Sequence, residues 1–537
     1  MRRRRRRAGR RHARAEYRRD IRRLPVITLL LAAASAFAPS AFARPFAGGP
    51  HRPTFDVVLV EGMSPAQLHS LARRGAVGLL VPGSGSLTDR RSALASLVRG
   101  ADVNPYIRGR IAGRPVLSVV HRDAPPLRPY TIVVALPPGR SLFQRARRAA
   151  EAVLGGGFHG ILTSPTTRIP GLVSIVDVAP TALGRARGAL SSLRSTTPIA
   201  DLHRLDGRIH ANNRLKLPTL IIVACALLLL AAVRPRVGVP AVLAALATSL
   251  VAGAANVTSE PLLVAMVVVG TLGGGLALAR ACRSEGRLLV AILAVMAAYL
   301  VLLVLHPDWV AITPLGPTQN SRFWGIGNQL ETLLLAPVLV GAAIAGRRWG
   351  VPGFAAFAVL SLVLVTDNRL GSDGGGAMVF GVALAFVGAR VLRIGARGFA
   401  VLLACFGALA LGIVLLDLGS PGPDHLRSAF AHGVPGLLAV AANRVPLAYA
   451  PALRQWVILV PVALSFAVAF ALALRLSRRR GADLVLGAGL AILASLLVND
   501  SAPYELTAGV AVLAALARFG LPAQPPAGAG LRTRRGV

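Results

Sequence analysis

LLVAILAVMAAYLVLLVL, Leu288 to Leu305, is eighteen consecutive residues with no charge, no carboxamide and no proline. A helix needs about 20 predominantly apolar residues to cross the hydrocarbon of a bilayer, so this stretch reads as a membrane span. Arg280, Arg283 and Arg287 precede it and His306-Pro307-Asp308 follows it. The same asymmetry recurs along the chain. Further apolar stretches run Leu217 to Val233, Pro240 to Ala255, Pro261 to Ala279, Gln329 to Gly346, Val351 to Thr366, Ala377 to Val391, Gly398 to Leu416, Gln455 to Leu474, Ala482 to Val498 and Leu506 to Phe519. The expected fold class is an α-helical polytopic membrane bundle of about eleven spans over residues 217 to 519.

Short loops rich in arginine are retained on the cytoplasmic side, so each turn can be assigned a side. Arg234 and Arg236, Arg347 and Arg348, Arg390, Arg393 and Arg397, and Arg475 with Arg478 to Arg480 fall in every second turn, in phase with Arg280 to Arg287. The tail, residues 520 to 537 with Arg532, Arg534 and Arg535, would be cytoplasmic too. The intervening loops carry Glu260, Asp308, Asp367, Asp373, Asp424, Asp500 and Glu505, and would lie outside. Trp309, Trp324, Trp349 and Trp456 sit near span ends, as interfacial anchors do. The segment Pro421 to Arg454 reads as an interfacial helix pair at the outer surface.

Residues 1 to 43 begin with Arg2 to Arg7, carry further arginines to Arg23, and continue into the apolar run Leu24 to Ala38 and two Ala-Phe-Ala triplets. This is the pattern of a signal sequence or signal anchor, and it puts residues 44 to 216 outside the cytoplasmic membrane. A net charge of +38 would suggest nucleic-acid binding in a soluble chain. Here much of it lies in the N-terminal run and the cytoplasmic turns, where it orients the chain and meets anionic lipid headgroups, so membrane lipids are the expected partner and nucleic acid is not. Lys216 is the sole lysine, an arginine bias typical of a GC-rich bacterial genome. Cys225 and Cys405 fall in spans and Cys282 in a cytoplasmic turn, so the outer domain must fold without disulfides.

Residues 44 to 216 alternate β-rich runs with helical ones, predicting one extracytoplasmic α/β domain with a largely parallel sheet. The strands are expected at Phe55 to Val60, Val77 to Val81, Val116 to Val120, Thr131 to Leu136 and Gly160 to Thr163. Ser64-Pro65 opens a first helix. Ser141 caps another that runs to about Leu154, with Arg145 to Arg148 on a solvated face or against lipid headgroups.

Two segments of this domain resemble the alkaline-phosphatase-like superfamily of phosphatases, sulfatases and phosphoethanolamine transferases. DVVLVEGMSPAQLHSLARRGAVGLLVP, Asp56 to Pro82, is similar to the opening strand, turn and second strand of that fold. SPTTRIPGLVSIVDVAPTAL, Ser164 to Leu183, is similar to its late D-x-x-P-T helix start, here Asp177, Pro180 and Thr181. Between them SLTDRRSALASLVRG resembles the helix that carries the Ser or Thr nucleophile, with Thr88 or Ser86 nearest that position and Glu61 standing where the family has its first metal-binding Asp. Two-metal phosphoryl transfer needs clustered carboxylates and imidazoles. His69, His121, His159, His203 and His210 are scattered instead. The expectation is therefore a degenerate domain that holds no metal or other cofactor and binds or assembles, with Thr88 and Glu61 as the catalytic candidates if it is an enzyme.

Polar groups at membrane depth are expensive and mark either packing networks or a pathway. Three clusters fall at outer span ends: NSRFWGIGNQLE, Asn320 to Glu331; TDNRLGSDGGG, Thr366 to Gly376; and NDS, Asn499 to Ser501. They resemble a family of uncharacterised bacterial polytopic membrane proteins in which R-F-Y-G-I-G-N-E, G-A-x-x-G-G and N-D-S-G motifs recur in that order. Gln329 stands where that family has its acid, and Ala502 replaces a Gly. The resemblance implies no activity. If the three spans pack together, Arg322, Asn328, Glu331, Asp367, Arg369, Asp373, Asn499 and Asp500 form one outward-facing binding site, with an arginine gripping phosphate or carboxylate bidentately. The favoured expectation is an inner-membrane envelope protein that binds or handles a lipid-linked or anionic envelope substrate. Its rivals are an extracytoplasmic phosphate-ester transferase or hydrolase, and a small-anion or proton-coupled transporter.

Overall fold

The computed structural model describes residues 53–82, 90–101, 114–136, 148–185, 188–319, 323–367, 370–371, 374–417, 456–477, 479–499 and 501–519, with a few positions between 433 and 453. The basic N-terminus with its apolar run, the tail 520–537 and most of the segment Pro421 to Arg454 lie outside the described residues.

The N-terminal unit is an eight-stranded sheet. Its strands are β1 (Asp56–Val60), β2 (Gly75–Val81), β3 (Val119–His121), β4 (Thr131–Ala135), β5 (Ala149–Leu154), β6 (Gly160–Thr163), β7 (Leu172–Ser174) and β8 (Ser191–Leu193). The order is β3-β1-β4-β5-β2-β6-β8, with β7 also paired to β2. β2 and β4 are buried along their whole length, which matches the near-continuous apolar runs GAVGLLV and IVVA. Helix α1 (Pro65–Arg74) starts where the sequence signals it, in a capping box: Ser64 Oγ accepts from the Gln67 amide, Gln67 Oε1 accepts from the Ser64 amide at 2.7 Å, and Pro65 opens the first turn.

Three expectations need correction. Ala149–Leu154, read as the end of a helix from Ser141, is strand β5, antiparallel to both β2 and β4. The sheet is accordingly mixed, with β6 and β8 also antiparallel. Ala-Ala-Glu-Ala favours helix by intrinsic propensity, but two flanking strands leave a slot whose backbone donors and acceptors only a strand can satisfy. Arg148 is also not solvated: its guanidinium lies 3.5 Å from Asp206 in a largely buried pair.

Among the described residues, seven helices are long and apolar enough to cross a membrane, and three shorter apolar helices accompany them. After α2 (Arg90–Arg99) and α3 (Val178–Ala182), these comprise α4 (Pro198–Val233), α5 (Gly238–Ala254), α6 (Glu260–Ala281), α7 (Glu285–Leu305), α9 (Asn328–Thr366), α10 (Gly374–Leu392), α11 (Ala396–Asp417), α12 (Trp456–Leu476), α13 (Arg479–Val498) and α14 (Ala502–Leu516); α8 is the short Pro307–Ala311. Leu228, Leu229, Val290, Leu464 and Leu493 are exposed, an apolar exterior suited to lipid rather than water.

Two of these helices organise the rest. At 36 residues, α4 is about 54 Å long. Leu202 and Ile209 in its first half pack under the sheet, while Leu220, Val223 and Leu227 in its second half join the bundle core. Helix α9 has a break at Gly350, whose φ of 68° and ψ of −150° are not helical. The two arms fold back on one another, because the ring of Phe357 fits against Gly341 and that of Phe354 against Gly346. A straight helix would hold residues 341 and 357 about 24 Å apart.

Candidate functional site

The start of α9, the end of α13 and the start of α14 meet. Asn328 opens α9 behind Gly327, and its Nδ2 donates to Ser501 Oγ and to Glu505 Oε1, both at 3.2 Å. Asn499, just past α13, donates from Nδ2 to Glu331 Oε2 at 3.2 Å and to Ser495 Oγ at 2.8 Å. The Ser501 amide adds a donor to Glu505 Oε1 at 3.3 Å. The brace is reciprocal: α9 gives a carboxamide to Glu505 of α14, and its own Glu331 receives one from Asn499 between α13 and α14. Both carboxylates have zero exposure. Each stands in the first turn of its own helix, where the exposed amides of the helix end favour negative charge.

The second cluster is tied to the first through the backbone. The Ile326 amide donates to the Gly371 carbonyl at 2.7 Å. Gly325, at φ +86°, lets the two loops touch, since a Cβ there would sit 2.2 Å from that same carbonyl oxygen. Asp367 caps the far end of α9, half-buried, with its carbonyl accepting from the Leu370 amide at 2.9 Å. Asn328, Glu331 and Asn499 are thus brought into one cluster, with the Asp367 loop alongside. Arg322, Arg369, Asp373 and Asp500 lie outside the described residues.

A third wall comes from the chain between α8 and α9. Its Gly316 carbonyl accepts from the Lys216 ammonium and, at 2.6 Å, from Gln329 Nε2. Lys216 also donates to the Thr313 carbonyl at 3.4 Å, and the Gln319 side chain ties the loop to the Pro317 carbonyl. The only lysine of the chain is therefore a buried staple between α4 and this loop.

The sheet sits directly on that wall. Val58, Val77, Val133 and Leu172 from one face of the sheet form a single apolar cluster with Ala311, Ile312, Phe323 and Trp324. Trp324 Nε1 donates to the Thr166 carbonyl at 3.1 Å, and the Arg168 guanidinium stacks 3.5 Å above the indole ring.

Within the α/β unit, Glu61 follows β1 as an exposed side chain and lies 3.8 Å from Arg90, the first residue of α2. Thr88 and Ser86 lie outside the described residues. Asp177 is buried, accepting from the Ser164 and Thr166 hydroxyls and from the Thr166 amide. Burial outweighs these donors and raises its carboxyl to about 6. Thr181 of the same motif holds the turn, donating to the Asp177 carbonyl and accepting from the Leu190 amide. Glu151 on β5 is fully buried, and neither carboxylate oxygen has a hydrogen-bond partner among the described residues. Burial first, and the neighbouring Asp177 second, hold it well above the usual carboxylate range. No group of three or more potential metal-ligating His, Cys, Asp or Glu side chains occurs among the described residues.

Sequence reasoning missed Glu505, Ser501, Gln329, Trp324 and Lys216 as parts of one assembly. Glu505 carried a legible signal, an acid four residues after Ser501 at the head of an apolar helix; Ser501, Gln329 and Trp324 lay inside the quoted polar clusters but were not singled out as site residues, and Lys216 carried no signal. The chain matches no protein-family model, no curated protein and no solved structure in comparisons with each.

Proposed function

We propose that this chain is a multi-pass protein of a bacterial cytoplasmic membrane that binds a lipid-linked, anionic envelope precursor where the α/β domain meets the bundle. The seven long helices, the fold-back at Gly350 and the three shorter apolar helices support eleven crossings, with the α/β domain outside and the C-terminus inside. The alternation of arginine-bearing turns supports that orientation. The order of the polar motifs supports kinship with the polytopic family they resemble. Glu61 beside the start of α2, and Asp177 at a strand-to-helix junction, support reading the outer domain as a shortened alkaline-phosphatase-like unit used for binding.

The observation that carries the reading is the reciprocal brace of Asn328, Glu331, Asn499 and Glu505 at outer span ends, roofed by a domain that seats on Trp324. Buried carboxylates at membrane depth cost several kcal/mol unless they serve a partner, roughly the range for uncompensated charge. In this arrangement they hold the segments that flank Arg322 and Arg369 in the sequence, whose guanidinium groups take the phosphate. Paired buried acids also suit a proton-coupled transporter, which is the second reading.

The test is mass spectrometry of lipid retained by the purified protein. A polyprenyl or glycosylated phosphate lipid should be enriched over bulk membrane lipid, and lost in Arg322→Ala/Arg369→Ala at unchanged thermal stability. Only bulk phospholipid, in membrane proportions, would refute the reading.

A further inference from the structure

We propose that Glu151 and Asp177 form a proton-responsive latch that sets how the α/β domain grips Trp324 and the loop leading to the membrane cluster. That this loop serves a ligand rests on the binding proposed above; the latch itself does not.

The geometry begins with the short segment Ser164 to Arg168. On one side it is fastened to Asp177 by three donors, the Ser164 hydroxyl, the Thr166 hydroxyl at 2.7 Å and the Thr166 amide at 3.3 Å. On the other side it holds Trp324, through the Thr166 carbonyl and the Arg168 guanidinium. Arg168 has a φ of +56°, an uncommon conformation for a side-chain-bearing residue, so its backbone is held by its surroundings. Trp324 then runs directly into Gly325 and Ile326, which pair with Gly371, and into Asn328. One residue, Thr166, therefore touches both the buried acid and the indole.

Three donors converging on a carboxylate require acceptor lone pairs. A protonated Asp177 becomes a donor at one oxygen, so at least one of the Ser164 and Thr166 hydroxyls must turn from donor to acceptor, which changes how Ser164 to Arg168 is held. Glu151 supplies the second half of the device. By strand alternation it lies on the Val153 face of β5, where the apolar cluster contains Ala93 and Leu97 of α2 and the segment Ile175 to Ala182. It is buried without a hydrogen-bond partner among the described residues, and Asp177 is the charge that acts on it. Burial and the neighbouring Asp177 hold Glu151 in its neutral form while Asp177 ionises.

The charged groups on the surrounding elements are engaged elsewhere or outward. Arg90 donates to the Leu136 carbonyl and lies near Glu61, Arg91 is exposed, and Arg99 donates to the Ala95 carbonyl. Strands β2, β4, β6 and β7 and helix α3 carry no titratable side chain, Asp56 and His121 are exposed at the ends of β1 and β3, and Arg148 pairs with Asp206. Asp177 stands at about 6, so the latch changes state between neutral and mildly acidic pH.

The experiment uses the full chain in detergent with Trp309, Trp349 and Trp456 changed to Phe, leaving Trp324 as the reporter. Its emission should show one transition between pH 8 and 4.5 with a midpoint near 6, absent in Asp177→Asn. Thr166→Val keeps the carbonyl that holds the indole but removes a donor to the ionised acid, so it should move the midpoint upward. If Asp177→Asn does not fold, Thr166→Val carries the test alone. A flat emission profile, or a transition unmoved by Thr166→Val, would overturn the latch. A transition that behaves as expected in protein retaining no specific lipid would support the latch and refute the binding reading.

Discussion

Gly325→Ala is the sharpest probe of whether the polar loops act as one assembly. The added Cβ would sit 2.2 Å from the Gly371 carbonyl oxygen, a backbone atom that cannot swing aside as a side chain would. The residue would also have to hold a φ of +86°, which costs an L-residue about 1–2 kcal/mol. Separating the loops breaks the 2.7 Å bond from the Ile326 amide to Gly371, a further loss of about 1 kcal/mol. The sum is about 3 kcal/mol, and at roughly 1.4 kcal/mol per tenfold it raises the opening equilibrium on the order of 100-fold. Hydrogen–deuterium exchange of the detergent-solubilised protein should report that rise in residues 323–331 and 370–371, with α7 unaffected. Gly325→Asn separates the two costs, because Asn tolerates positive φ but brings the same Cβ; it should not rescue. Unchanged exchange in residues 370–371, or rescue by Asn, would refute the idea that contact between the loops is what holds them.

The remaining expectations concern stability and topology. The Asp177 carboxyl is raised from an ordinary 3.8 to about 6, so the folded chain holds its proton more tightly than the unfolded one. The resulting contribution is fully present below about pH 4, is lost as pH rises through 6, and amounts to roughly 3 kcal/mol. Thermal unfolding of the full chain should show this pH dependence, and Asp177→Asn should remove it; an identical profile in the variant would dispose of it. In a chain lacking Cys225 and Cys405, native Cys282 should label only after access to the cytoplasm and a cysteine at Ser64 from outside; labelling of both from one side would break the orientation.

The seven long apolar helices were legible because lipid imposes a single demand, internal satisfaction of every backbone group beneath an apolar surface, and runs such as Leu288–Leu305 answer it. The meeting of Asn328, Glu331 and Asn499 was legible for a related reason: carboxamides and acids at span ends need partners, and the nearest are on neighbouring helices. Strand β5 was not, since Ala149–Leu154 has helical propensity and becomes a strand only between β2 and β4. Nor was the seat of the α/β domain. Its decisive contact joins Trp324 to Thr166, 158 positions apart, and nothing local in either segment announces the other. Glu505 was overlooked because an acid in a helix's first turn ordinarily needs no further explanation.

The turn at Gly350 makes a long-handled caliper of the bundle. Its two arms end at Asn328 and Thr366, each about 25–35 Å from the pivot by helical rise. A rotation of about 5° at Gly350 would change the gap between the jaws by roughly 2–3 Å, comparable to the length of the hydrogen bonds that close the outer cluster. Phe357 against Gly341 and Phe354 against Gly346 act as spacers along the handles and fix the setting. The spacing between the two ends of α9 is thus gauged by ring-on-glycine fits along its arms and by one backbone angle at Gly350, so residues far from the polar cluster set how its walls stand apart.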